Sequence, residues 1–316
     1  MTSPSALQSV VSGLTFQNPI VLASGTAGYG AELDRVVDLE SLGGFVTKAV
    51  SIEPRAGAPA PRVAEFEGGM INAVGLANPG LDAVRREHLP WLASHLRETR
   101  KIANVVGSSV DDYPAVVAGL EAGLADGNGL AIDAYELNVS CPNVKAGGME
   151  FGADPASLRS VVERARRETR RPVFVKLSPT LERVGDAAKI AVDAGADAIS
   201  VVNTIPGLLI DVERRRPALG FGTGGVSGPA ILPVGVLATW RVRRAVQVPI
   251  LGVGGVASGL DALQYIMAGA SLVGMGTAAL RDPRSPARVV RELAAWCDAH
   301  QVARIGDLVG ALEGLT

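Results

Sequence analysis

Eight short runs rich in Val, Ile and Leu alternate with amphipathic stretches, and this rhythm predicts a closed (β/α)8 barrel, an α/β TIM barrel. Three observations carry the prediction. The runs are almost continuously apolar, as parallel strands buried on both faces are. The segments between them repeat their apolar residues with helical spacing. The longest connections follow the C-terminal ends of runs, the face where barrel enzymes carry their sites. A doubly wound sheet is the alternative, but its usual five to seven strands leave one or two units unplaced.

In chain order, the runs at 19–24 and 44–50 are followed by helical patterns at 32–42 and 81–97. The third and fourth runs, 102–108 and 135–140, precede helices expected at 111–124 and 155–170. Those at 172–178 and 198–204 precede 182–194 and 231–246, and those at 249–255 and 271–277 precede 260–268 and 287–300. Asp111 and Asp154-Pro155 read as helix starts, and Gly195 and Gly269 as C-terminal caps. Residues 51–79 and 205–229 form loops longer than a barrel needs, after strands 2 and 6, and a third long loop follows strand 4. The whole chain, 1–316, reads as one domain.

Composition narrows the function. Hydrophobic residues make up 47% of 316, too many for a disordered chain, and aromatics only 4%, so the core is built from Val, Leu, Ile and Ala. A net charge of −2 provides no general attraction for nucleic acid or an anionic membrane. The uncharged stretch 262–280 is broken by Gly269 into a short helix and a strand, so no membrane span is expected, and residues 1–14 lack the features of a signal peptide. Two lone cysteines, Cys141 and Cys297, fit a reducing, cytoplasmic setting and fail any zinc spacing, so no metal is expected.

The chemistry gathers at strand ends. Leu251-Gly-Val-Gly-Gly255 and Gly274-Met-Gly-Thr277 end strands 7 and 8, where glycines let backbone N–H groups approach a phosphate; one such Gly-Gly would read as turn packing, two on adjacent strands as an anion site. Thr223-Gly-Gly-Val-Ser-Gly228 offers a further wall. Lys48 and Lys176 lie in apolar strands, pointing either outward between helices or into the barrel mouth; two at one level, beside a phosphate site, point to an anionic ligand. Asn104, Asn138 and Asn203 are unusual in strands, and their amides suit the edge of a heterocycle. Cys141 sits just past strand 4 in a polar loop, placed for a nucleophile or a general base, whereas His88, His95 and His300 fall on helices and are expected to face solvent. A phosphate site, two cations, several amides and one candidate base suit FMN.

These motifs resemble the class 1 dihydroorotate dehydrogenases, and within them the class 1B catalytic subunit. The resemblance runs from about Leu14 to Pro283. It rests on Asn18-Pro-Ile-Val-Leu-Ala-Ser-Gly-Thr26, Asn72-Ala-Val-Gly-Leu76, Asn138-Val-Ser-Cys-Pro-Asn-Val-Lys145, Val202-Asn-Thr204 and Gly224-Gly-Val-Ser-Gly-Pro229. It implies one FMN per chain, contacted by Ala23, Ser24, Lys48, Ala49, Asn104, Asn138, Lys176 and Val202, with Gly228, Gly254, Gly255, Gly276 and Thr277 on its ribityl phosphate side. It implies dihydroorotate held by Lys48, by Asn72, Ala73, Val74, Gly75 and Leu76, and by Asn138, Asn203 and Thr204, with Cys141 as the base for the C5 proton. Gly25-Thr-Ala-Gly-Tyr-Gly30 and residues 144–152 resemble class 1B, which implies a partner subunit carrying FAD and an iron–sulfur cluster, NAD+ as acceptor, and two catalytic with two electron-transfer chains around a homodimer of this one. Ala27 and Ala77 depart from the Phe and Gln expected there. A fumarate-linked class 1A enzyme and a dihydropyrimidine dehydrogenase catalytic unit are the alternatives. The Cys141 loop, with Gly147 and Gly148, is the candidate lid.

Overall fold

The computed structural model describes residues 4–140, 142–143 and 149–314. Eight parallel strands close a barrel in sequence order. They are β1 (Ile20–Leu22), β2 (Gly44–Val46), β3 (Arg100–Val105), β4 (Ala134–Asn138), β5 (Val173–Leu177), β6 (Ala198–Val201), β7 (Ile250–Val253) and β8 (Leu272–Met275). Each lies within or beside its expected run. Most are two or three residues shorter, because the backbone leaves the ladder at the C-terminal end to form the site.

The surrounding helices are α1 (residues 81–95), α2 (Asp112–Gly123), α3 (Pro155–Arg167), α4 (Val184–Asp193), α5 (Leu232–Ala245), α6 (Gly259–Ala268) and α7 (Ser285–Ala299). The Asp154 carboxylate accepts from the Ser157 amide, and Gly195 and Gly269 adopt positive φ where α4 and α6 end, as their positions predict. No helix among the described residues is long and apolar enough to cross a membrane.

Two expectations are corrected. Residues 32–42 do not form a helix; they fold into successive turns and one 3-10 turn, Leu39–Ser41. The Gln17 amide donates to the Glu40 and Leu42 carbonyls and the Asn18 amide to that of Ser41, so these groups are satisfied without a helical ladder. With Asp34, Val36, Val37 and Asp38 in so short a segment, propagation does not repay nucleation. Asp111 makes no capping bond; Asp112 accepts instead from the amides of Ser108 and Ser109 and from the Ser109 hydroxyl. Burial pushes the Asp112 carboxyl up, but those hydrogen bonds and nearby Arg55 outweigh it and hold the group below the usual carboxylate range.

Alternation along each strand assigns the barrel interior. Val21, Val46, Ile102, Ala134, Phe174, Ala198, Leu251 and Leu272, one from every strand, meet at its floor. Val11 and Phe16, from the hairpin Ser9–Val11 and Leu14–Phe16, plug it from below. Two residues further along the same inner faces the side chains turn polar: Asn104 on β3, Glu136 on β4, Lys176 on β5 and Ser200 on β6, all buried. A dry floor under a polar layer defines a cup open at the strand C-termini. Phe16 is fully buried in that floor, so Phe16→Ala is expected to cost about 3–5 kcal/mol of stability in a denaturant titration. A loss under about 1 kcal/mol would show that the hairpin does not seal the barrel.

Candidate active site

The two long loops after β2 and β6 are one structure. Strands Val63–Phe66 and Gly69–Asn72 of the first join Gly224–Ser227 and Ile205–Gly207 of the second in a four-stranded antiparallel sheet beside the barrel mouth. Asn72 sits in its middle, paired with Val63 on one side and Gly225 on the other, and its side-chain amide donates to the Gly225 carbonyl at 3.3 Å. Gly225 is required by space: a Cβ there would stand 2.0 Å from Thr204 Oγ1. The same pairing therefore sets the positions of Asn72 and Thr204. Beyond Asn72 the chain turns through Gly75 and Leu76, both at positive φ, and the Asn78 amide holds the Leu76 carbonyl at 2.8 Å. Ala77 is buried against Gly57, so the small side chain where Gln was expected fits a close loop contact.

Across the mouth, Asn138 and Asn203 are linked through one hydroxyl. Ser140 Oγ donates to Asn138 Oδ1 at 2.6 Å and accepts from Asn203 Nδ2. Asn203 Oδ1 is taken by the Thr204 amide at 2.8 Å. Tyr113 donates its hydroxyl to the Asn138 carbonyl at 2.9 Å, which anchors the end of β4 to α2. Lys176 points into the barrel, not outward between helices, and gives its ammonium to Ser24 Oγ at 3.1 Å. Ser24 follows Ala23, whose amide bonds the Met275 carbonyl, so β1, β5 and β8 meet here. Lys48 lies two residues past β2, half-buried, and among the described residues no side chain pairs with its ammonium. Ala49 and Val202 are buried past the ends of β2 and β6, Ala49 in contact with Val106 and Leu76.

On the β7–β8 side, Gly254 and Gly255 have positive φ, and a Cβ on Gly255 would stand 2.6 Å from the Leu232 nitrogen at the start of α5. Tyr265 donates to the Gly254 carbonyl at 2.7 Å; burial first, then Asp261, hold its phenol above the usual tyrosine range, so it stays a donor. Gly228 packs over Gly69, and Thr277, following Gly276, bonds Ser227 across the loop at 2.8 Å.

Cys141 lies outside the described residues, as do residues 144–148, which include Gly147 and Gly148. The backbone of the strand-4 loop is described at its two ends, where Pro142–Asn143 pairs with Met149–Glu150. Burial pushes the Glu150 carboxyl up, partly offset by the Ser178 hydroxyl that donates to it at 3.3 Å past β5. The remaining cysteine, Cys297, is a buried core residue of α7. His95 and His300 are exposed against Trp91 and Trp296, but His88 is half-buried, stacked on Tyr29 at 4.2 Å.

Three contributors escaped the sequence reading: Glu136, Ser140 and Tyr113. The first two had a legible signal, because Glu136, Asn138 and Ser140 recur with period two, the first two on the inner face of β4 and Ser140 just past its end. Tyr113 had none, since its partner is a backbone carbonyl 25 residues away.

A closed parallel barrel whose C-terminal mouth carries linked amides, the inward Lys176, the half-buried Lys48 and a glycine-lined wall has the architecture of a barrel enzyme. The comparisons make this specific. The profile of the family described as dihydroorotate dehydrogenase matches residues 6–296. Relatives from Geobacter sp. (strain M21) and Pelobacter propionicus are 45% and 48% identical over 96% of this chain and 97% of theirs, and both bear the name dihydroorotate dehydrogenase B (NAD(+)), catalytic subunit. A relative from Solibacter usitatus is 47% identical over 97% of this chain and 98% of its own, and its name assigns it provisionally to dihydroorotate dehydrogenase A (fumarate). This chain belongs to the dihydroorotate dehydrogenase family.

The shared sheet makes a prediction of its own. Gly225→Val forces Gly224–Ser227 away from Thr204, so limited proteolysis of the variant is expected to cut within both 51–79 and 205–229, at sites resistant in the parent. Cleavage of only one loop would show that the two do not hold each other.

Proposed function

We propose that this chain is the FMN-carrying catalytic subunit of an NAD+-linked dihydroorotate dehydrogenase, which oxidises (S)-dihydroorotate to orotate in the de novo route to UMP. What supports the reading is the linkage of Asn138, Asn203 and Thr204 at the strand ends, with Asn72 tied to them through Gly225, in a chain near 45% identical to enzymes of that name. Lys48 and the backbone of 72–76 suit the substrate carboxylate, a group that dihydrouracil lacks. Asn138, Asn203 and Thr204 suit the ring amides, because each amide offers a donor and an acceptor.

The residues fit a flavin. Asn104 Oδ1 and Ser200 Oγ are buried inside the barrel and have no hydrogen-bond partner among the described residues, as expected of groups that await a polar ligand. Lys176 provides positive charge in the same layer, beside Ser24, Ala23, Lys48 and Ala49, with Asn138 and Val202 completing the ring contacts. Gly228, Gly254, Gly255, Gly276 and Thr277 form a wall whose close backbone approach suits a phosphate. Bound FMN supplies the acceptor for the hydride that leaves C6 of the substrate.

The chain does the rest. Its amides hold the ring flat over the barrel, and Lys48 neutralises the carboxylate. The Cys141 thiolate takes the proton from C5, and the electron pair of that C–H bond becomes the C5–C6 double bond as hydride departs. A companion subunit bearing an iron–sulfur cluster and FAD is the route of the electrons to NAD+, in an assembly of two catalytic and two electron-transfer chains. That companion is supported by the words "catalytic subunit" in the relatives' names. The fumarate-linked reading keeps one support, the Solibacter relative.

Anaerobic mixing with dihydroorotate is the direct test: the visible flavin band bleaches and orotate forms. Adding fumarate, or NAD+ with the companion subunit, then separates the two acceptors. A yellow protein that dihydroorotate does not bleach overturns the reading. Cys141→Ala is expected to retain FMN while turnover falls about 10²- to 10⁴-fold; full activity in that variant would remove Cys141 from the mechanism. Since the base is a thiolate and a free thiol has a pKa of about 8.5, turnover of the parent should rise from pH 6 towards 8.5 and that slope should vanish in Cys141→Ala.

A further inference from the structure

The least explained group in the barrel is Glu136. It is 1% exposed on the inner face of β4, two residues below Asn138, and neither the substrate nor the flavin assignments above use it. A carboxylate is a costly filling for a strand interior unless it has a task. Among the described residues its hydrogen-bond partner is a single amide: Asn104 Nδ2 donates to Glu136 Oε1 at 2.7 Å. Lys176, the cation facing inward on the neighbouring strand, gives its ammonium to Ser24 instead. The salt bridges among the described residues do not include Glu136.

The consequence falls on Asn104. An amide has two faces of opposite polarity, and in isolation either can point at a ligand. A carboxylate only accepts, so Asn104 must spend an N–H on Glu136. With its nitrogen turned to Glu136, the amide presents Oδ1 on its opposite side, and among the described residues Oδ1 is buried without a hydrogen-bond partner. The register confirms that the arrangement is built in: Asn104 lies directly opposite Glu136 on paired strands, and the Asn104 backbone is fixed by Thr47 Oγ1 and the Val50 amide.

We propose that Glu136 is a positioning residue that sets the polarity of Asn104, so that this point of the barrel accepts one hydrogen bond from an N–H of the bound ring. The inference rests on the flavin reading above. An oxidised isoalloxazine carries a single ring N–H, at N3, flanked by two carbonyl oxygens. An acceptor at Asn104 therefore matches N3 and disfavours the carbonyls beside it, which fixes the ring in one lateral register. With the amide reversed, donor would face donor and the register would be lost.

The test compares binding of FMN and of N3-methyl-FMN, which lacks that donor, by flavin fluorescence on the apo-protein. The parent should bind the methylated flavin at least about tenfold more weakly, the size of one lost hydrogen bond. In Asn104→Ala, which has neither acceptor nor crowding, the ratio should fall towards one. In Glu136→Gln the amide can turn, so FMN binding weakens and the ratio also falls, with little further change in the double variant. Glu136→Asp, whose carboxylate is too short to reach Asn104, should behave like Glu136→Gln and serves if the latter does not fold. A Glu136 variant that weakens both flavins equally and keeps the parent ratio would reduce Glu136 to a structural role and overturn the proposal. So would an Asn104→Ala protein that discriminates as the parent does. A parent that binds neither flavin would instead refute the flavin reading itself.

Discussion

Inner and outer faces alternate along every strand of a closed barrel, and everything else in this protein is arranged around that constraint. Closure leaves no edge, so each strand residue either enters the interior or packs under a helix. On β3 the order is Ile102 inside, Ala103 outside, Asn104 inside; on β4 it is Ala134, Tyr135, Glu136, Leu137, Asn138. The interior thus changes from dry to polar within two residues. Below the change, Phe16 and Val11 complete an apolar plug that excludes water. Above it, the polar side chains have rigid strands beneath them, which is where precise positioning is cheapest in entropy.

The second organising element is the sheet formed by the two long loops. Long loops close at modest entropic cost, but they position nothing until something holds them. Here each holds the other: the ladder through Asn72 and Gly225 ties the segment after β2 to the segment after β6. Asn72 and Thr204 thereby gain the rigidity of a sheet although both lie outside the barrel. Ser140 does the equivalent work across the mouth, joining Asn138 and Asn203 through one hydroxyl. Beside Glu136 the polarity of Asn104 follows from its neighbour's chemistry, so orientation matters there as much as residue type.

What the amino-acid order determined by itself was the barrel and the cast of its mouth. Parallel strands buried on both faces leave a local mark, a continuous apolar run, and eight of them in alternation with helices admit almost one architecture. Lys48, Lys176 and the strand asparagines were visible because polar groups are conspicuous in such runs. The stretch at 32–42 misled because its apolar spacing is helical while Gln17 and Asn18, far off in sequence, satisfy its carbonyls. The tertiary structure alone decided which way Lys176 points, that the loops after β2 and β6 form one sheet, and that Glu136 and Ser140 govern the asparagines beside them. Apart from the local Ser140–Asn138 bond, the side-chain hydrogen bonds among these join residues 32 to 153 positions apart, and like the loop sheet's backbone ladder their geometry exists only once the barrel has closed.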